Sequence, residues 1–224
     1  MPPEIFIAAV VLAVVAVWLV LRMQESRRVE ACKLVAQRLG LEFHEGGDEH
    51  LRHPFKIFTD ARDPVVNFRL EGLNQDVKVT VLDYEYSRAA GEKDTRRVTL
   101  CIVACRALAL PHLFLRPQRA VYDWLGKLFG GQDIDFAEDP VFSPAFVLQG
   151  EDEPAVRRVC DARVRQAFSR LRESNLFFEG RGDSFVMHRD KRLEPAEIAA
   201  FIRQAMELRR AFGGEQPLLH PGDA

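Results

Sequence analysis

Cysteine is scarce, four residues in 224, and no pair is spaced Cys-x-x-Cys. That excludes a disulfide-stapled scaffold and argues against a zinc ribbon or a dithiol redox motif. Cys101 and Cys105 would share one face of a strand about 13 Å apart, too far for a single bond, and read as small buried hydrophobes. Neither sign of charge dominates, with 31 Lys+Arg against 33 Asp+Glu. This balance excludes a polybasic nucleic-acid binder and an acidic disordered chain. A Gly-rich phosphate loop, a Gly-x-Ser-x-Gly elbow, a kinase signature and a His-Glu-x-x-His helix are all missing. The chain carries no internal repeat and no long linker. Composition and motifs therefore predict no cofactor and no nucleic-acid partner.

Against these absences stands one strong local feature. Residues 5–21, from Ile5 to Leu21, are 17 apolar residues without a charge, a Gly or a Pro. As a helix the run is about 25 Å long, near the short end of the spanning range. Arg22 can snorkel to the interface so that Met23 extends the apolar stretch, and Trp18 lies where an interfacial indole is favoured. A cleaved signal peptide fits poorly, because Met1-Pro2-Pro3-Glu4 has no positive charge and no small-residue cleavage site follows. Arg22, Arg27, Arg28, Lys33 and Arg38 all follow the run and no basic side chain precedes it. The positive-inside rule then predicts a single-pass protein of the cell (inner) membrane, N-terminus outside and C-terminal domain cytoplasmic.

Beyond the anchor (1–23), a juxtamembrane helix is expected over 24–40, with Val29, Cys32, Val35, Ala36 and Leu39 on one face and Gly40 as its stop. Residues 41–213 read as one α+β domain and 214–224 as a flexible tail. Candidate strands are Leu41–His44, Phe55–Phe58, Val65–Glu71, Val77–Ser87, Arg96–Arg106, His112–Arg116 and Ala145–Gln149. A hairpin of Leu176–Glu179 and Ser184–His188 turns through Gly180-Arg181-Gly182-Asp183. No helix separates the early strands, so the sheet should be largely antiparallel, packed with about three amphipathic helices. These helices are expected near Arg119–Phe129, over 152–171 on the stripe Val156, Val159, Cys160, Val164, Phe168 and Leu171, and from Glu194-Pro195 to Gly213.

Four stretches carry a resemblance. They are Val79-Thr80-Val81-Leu82-Asp83-Tyr84-Glu85-Tyr86, then Leu110-Pro111-His112-Leu113-Phe114-Leu115-Arg116-Pro117, then Pro140-Val141-Phe142-Ser143, and then Phe146 to Glu153. Their order resembles a group of bacterial single-span, membrane-anchored proteins of unknown function, in which an aspartate-tyrosine strand precedes a proline-bounded strand. The resemblance covers most of residues 41–210. It implies an anchored cytosolic α+β domain and carries no catalytic residue.

Three constellations remain. His44, His50 and His53, with Glu45 or Glu49, could supply zinc ligands, though the spacing matches no zinc signature and a polar surface loop explains it as well. Arg27 and Arg28, and the seven-spaced Arg158, Arg165 and Arg172, could face anionic lipid or a partner, or form ordinary solvated helix faces. Asp133, Asp135, Glu138 and Asp139 alternate, but the central Gly of a calcium loop is missing. The favoured reading is a membrane-anchored protein whose cytosolic domain binds or scaffolds a protein partner, a lipid surface or a small ligand. The alternative is a membrane-tethered, metal-dependent enzyme using His44, His50 and His53.

Overall fold

The α1 helix, Pro3–Leu39, follows from the sequence directly: its first half is a Gly- and Pro-free apolar run, and its second half alternates apolar and charged turns. The computed structural model describes residues 3–47, 52–87, 95–119 and 133–213, except for the side chains of 3–6, 8 and 9. The helix passes the expected boundary at residue 23 without a break. It stops at Gly40, whose φ is +64°. There the Gly40 and Leu41 N–H groups donate to the Gln37 and Ala36 carbonyls at 3.2 and 2.9 Å, closing the last turn. From Ile7 to Met23 the large apolar side chains that are described stand 45% to 69% exposed. Among the described residues no helix is long and apolar enough to cross a membrane. The transmembrane helix expected over 1–23 is therefore not shown; what is shown is an uninterrupted helix with bare apolar turns, attached to an α+β domain.

The domain is built on an eight-stranded sheet with every described pairing antiparallel. The strands are β1 (Glu42–Glu45), β2 (Arg62–Asn74), β3 (Val77–Ser87), β4 (Arg96–Cys105), β5 (Leu110–Pro117), β6 (Phe146–Gly150), β7 (Phe177–Gly182) and β8 (Ser184–His188), in the spatial order β1-β2-β3-β4-β8-β7-β5-β6. The expected antiparallel α+β architecture is thus present. Alternation on β3 gives two buried faces. Val77, Val79 and Val81 join the larger core, while Leu82, Tyr84 and Tyr86 join a smaller one on the far side. Helices cover the first face: the C-terminal half of α1 through Cys32 and Ala36, α3 (Glu153–Val159), α4 (Ala162–Ser169) and α5 (Pro195–Gly213). Phe142, Phe146, Phe168 and Phe178 meet there at ring-centroid distances of 5.1 to 6.4 Å. Close packing reaches the backbone at Gly150, where an added Cβ would lie 2.5 Å from Val156 Cγ2 and 3.0 Å from the His112 carbonyl oxygen. Gly150→Ala is expected to destabilise the domain by about 1–3 kcal/mol, read as a lowered urea midpoint.

Four expectations are corrected. Phe55–Phe58 is not a strand, because residues Lys56–Thr59 form a helical turn, α2. Phe55 is extended after Pro54, its carbonyl accepts from Phe58 and Thr59 N–H, and the three-residue spacing drops both Phe rings onto the second sheet face. The helix expected over 152–171 is two helices, split at Cys160-Asp161. Asp161 caps α4 by accepting from the Val164 N–H at 2.9 Å, and Asp152 caps α3 in the same way through Ala155. Asp161→Ala should cost about 1 kcal/mol, measured as the shift in thermal midpoint at fixed pH. Strand β1 is also one residue later than expected. The hairpin turns at Gly182-Asp183 alone, with Gly182 at φ +61°, the conformation a glycine supplies at a two-residue turn. The Arg119–Phe129 helix and the 214–224 tail fall outside the described residues, apart from Arg119 itself.

Candidate functional site

The strand face that carries Val77, Val79 and Val81 continues into Asp83, a carboxylate only 1% exposed. A buried charge must be paired and hydrogen-bonded to be tolerated. Two guanidiniums meet it. Arg192, from the loop before α5, donates Nε to Asp83 Oδ2 at 2.8 Å, and Arg28 of α1 approaches the same oxygen at 3.3 Å. Asn67 of β2 donates to Oδ1 at 3.0 Å. Arg192 then reaches Glu25 of α1 with Nη1 at 2.7 Å and with Nη2, a bidentate pair. The bond from Arg192 holds the Glu25 carboxyl below the usual carboxylate range, against the opposing effect of burial. Arg28 Nη2 also donates to the Leu193 carbonyl at 2.6 Å. The network joins α1, β2, β3 and the α5 approach at one point.

Beside this network lies an open cleft of about 770 Å³. Trp18, Leu21 and Arg22 line it from the apolar half of α1; Asn67, Arg97, Arg192 and Glu194 line it from the domain. The Arg22 guanidinium carbon sits 5.2 Å from the Trp18 ring centroid. The cleft therefore has an apolar wall continuous with the bare helix and a polar wall rich in guanidinium.

A second buried ionic group occupies the opposite sheet face. Glu179 of β7 is 2% exposed and meets His112 Nε2 of β5 at 3.0 Å. His112 Nδ1 meets Glu151 at 2.8 Å. An imidazolium has two N–H donors and satisfies both carboxylates. Its bond to Glu179 raises the His112 pKa most, burial opposes this, and Glu151 adds to the rise. The other Glu179 oxygen accepts the Lys56 N–H at 2.8 Å, fastening α2 to the sheet. The carboxylates lie at opposite ring nitrogens, so the three side chains form an ion triad and do not converge on one metal position.

The expected site residues are scattered. His44 lies on β1 with Nε2 3.3 Å from a Glu42 oxygen, and His53 stacks on Phe55 at 5.7 Å. His50 is outside the described residues. Among the described residues no group of three His, Cys, Asp or Glu side chains is arranged to hold a metal. The arginine stripe dissolves where the helix splits. Arg158 is exposed on α3, Arg172 is exposed on the turn after α4, and Arg165 is turned inward. Arg165 Nε donates to Asp139 at 2.9 Å, Nη1 donates to the Cys160 carbonyl at 3.0 Å, and the guanidinium carbon lies 4.2 Å from the Phe136 ring centroid. Its side chain is only 10% exposed and is paired within the domain. The acidic stretch is likewise structural, since Asp139 also accepts the Phe142 N–H at 3.0 Å. Arg27 stays exposed, whereas Arg28 is absorbed into the Asp83 network. All four cysteines are free and buried, and burial pushes the thiols of Cys101 and Cys160 up to about 12. Sequence reading missed Asp83, Glu25 and Arg192, and also His112 and Glu179. Asp83 alone had a legible signal, a carboxylate continuing a valine face.

No family model and no curated protein matches the chain. Among solved structures, the fold is similar to that of the mycobacterial trehalose monomycolate transport factor A, TtfA. The similarity covers 86% of this chain and 98% of that one, with a TM-score of 0.60 and 11% identity.

Proposed function

We propose that this chain is a membrane-anchored binding or scaffolding protein of the bacterial inner membrane, with residues 5–21 in the bilayer and the α+β domain in the cytoplasm. The observation that carries the reading is the row of bare apolar side chains on α1, from Ile7 to Met23. Exposed apolar patches of this extent mark a membrane or partner surface. Arg22, Arg27 and Arg28 follow directly, which supports a cytoplasmic domain. A non-catalytic role is supported by the use of the buried ionic groups as structural pairs and by a fold similar to that of a mycobacterial transport factor. The Asp83 network gives the anchor a purpose in this reading, because it seats the domain at a fixed place on the helix.

Carbonate extraction and protease protection test the proposal together. The full chain should stay in the membrane fraction at alkaline pH, and a C-terminal epitope should be protected in intact spheroplasts. Release by carbonate, or digestion of the epitope from outside, would overturn it.

A further inference from the structure

Resting on the membrane reading above, we infer that the cleft between α1 and the sheet binds the phosphodiester headgroup of an anionic membrane lipid, with Arg22 and Arg97 as the anion-holding side chains. Position comes first. Arg22 ends the apolar run, so the cleft opens at the level where a bilayer's headgroups would lie, and Trp18 and Leu21 form the wall that faces acyl chains.

Charge comes second. Of the four guanidiniums lining the cleft, Arg28 and Arg192 are committed to Asp83 and Glu25. The other two have donors to spare. Arg97 is held at Nε by Glu85 at 2.6 Å, with its side chain 55% exposed, and among the described residues no partner takes either Nη group. Among the described residues no carboxylate pairs with Arg22, which rests on the Trp18 ring. A guanidinium so placed presents a planar donor fork suited to phosphate oxygens. The committed pair performs a different task, because the Arg192–Glu25 bond holds the α1 wall at a fixed distance from the domain wall. The 770 Å³ of open volume is ample for a headgroup.

The test uses the full chain in nanodiscs of phosphatidylcholine with a minor share of phosphatidylglycerol, extracted into mild detergent and read by native mass spectrometry. The wild-type chain should retain a phosphatidylglycerol in preference to phosphatidylcholine. Arg22→Gln and Arg97→Gln combined should cut that retention roughly tenfold or more. Arg27→Gln, exposed on α1 near the same level but outside the cleft lining, should leave it unchanged. Equal loss in Arg27→Gln would reduce the effect to general basic attraction and overturn the site. So would equal retention in the double variant, or full displacement by millimolar inorganic phosphate, which would mark a free-anion site. A chain that fails to enter the nanodiscs would instead overturn the anchoring on which the inference rests, and that failure is visible at reconstitution.

Discussion

Asp83→Ala should lower the stability of the full chain by about 3–5 kcal/mol, because it strips the shared anion from two largely buried guanidiniums. Arg28 and Arg192 have side chains 12% and 17% exposed, so water cannot replace the lost carboxylate fully. Asp83→Asn keeps the volume and one acceptor but removes the charge, and should fall most of the way to the alanine variant. A triple replacement, Asp83→Leu with Arg28→Met and Arg192→Met, should recover much of the loss, since removing a whole buried ion cluster is far less costly than breaking it. Urea unfolding of detergent-solubilised protein gives the magnitudes. Limited proteolysis gives the location: residues 24–39 should become cleavable in Asp83→Ala while β3 and β4 stay protected. If the alanine variant keeps the wild-type midpoint, the network does not hold α1 to the domain.

The second large effect concerns the ion triad and depends on pH. His112 has a folded pKa above its ordinary 6.5. It therefore contributes stability in full below about pH 6.5, and that contribution is lost as pH rises through the higher folded value. Glu151 runs the other way: the bond from His112 lowers its pKa from 4.5, helped by the nearby Arg181 charge and opposed by burial. Its contribution is present above about pH 4.5 and disappears as pH falls through the lower folded value. The triad is thus most stabilising between these limits. Glu179→Gln removes the buried charge that holds the proton on His112 and weakens the acceptor for the Lys56 N–H, at an expected cost of about 2–3 kcal/mol near pH 6. Urea midpoints measured from pH 5 to 9 should fall above pH 6.5 in the wild type and run nearly flat in Glu179→Gln and His112→Gln. Parallel slopes in all three proteins would show that His112 does not titrate against Glu179.

Much of the sheet was legible because local patterning agrees with the fold there. The limits of β3 match the alternation of Val77 to Ser87, and α5 begins at Pro195 and stops at Gly213 where helix signals place them. Errors arose where a distant partner decides. Lys56 enters a helical turn with its N–H bonded to Glu179, 123 residues on, and nothing within Phe55–Phe58 announces that carboxylate. The break at Cys160-Asp161 lies inside an apolar stripe that continues in phase, and only the Asp161 cap betrays it. The helical spacing of Arg165 to Arg158 and Arg172 points to a surface charge, yet Asp139 draws it inward from 26 residues away. The same holds for the site. Asp83 meets Arg192 across 109 residues and His112 meets Glu179 across 67, distances closed by the strand order β4-β8-β7-β5, which no periodicity encodes.

The unbroken α1 makes the molecule a lever. A rod of 37 residues is about 55 Å long, and it contains neither a glycine nor an internal proline at which to bend. Bolted at Glu25 and Arg28, it cannot turn about its own axis without turning the sheet as well. One residue inserted between Leu21 and Glu25 would swing the apolar turns by about 100° relative to the domain, and four would nearly restore the azimuth while moving the domain outward by about 6 Å. A rotation of the apolar end is thereby coupled to the body of the protein.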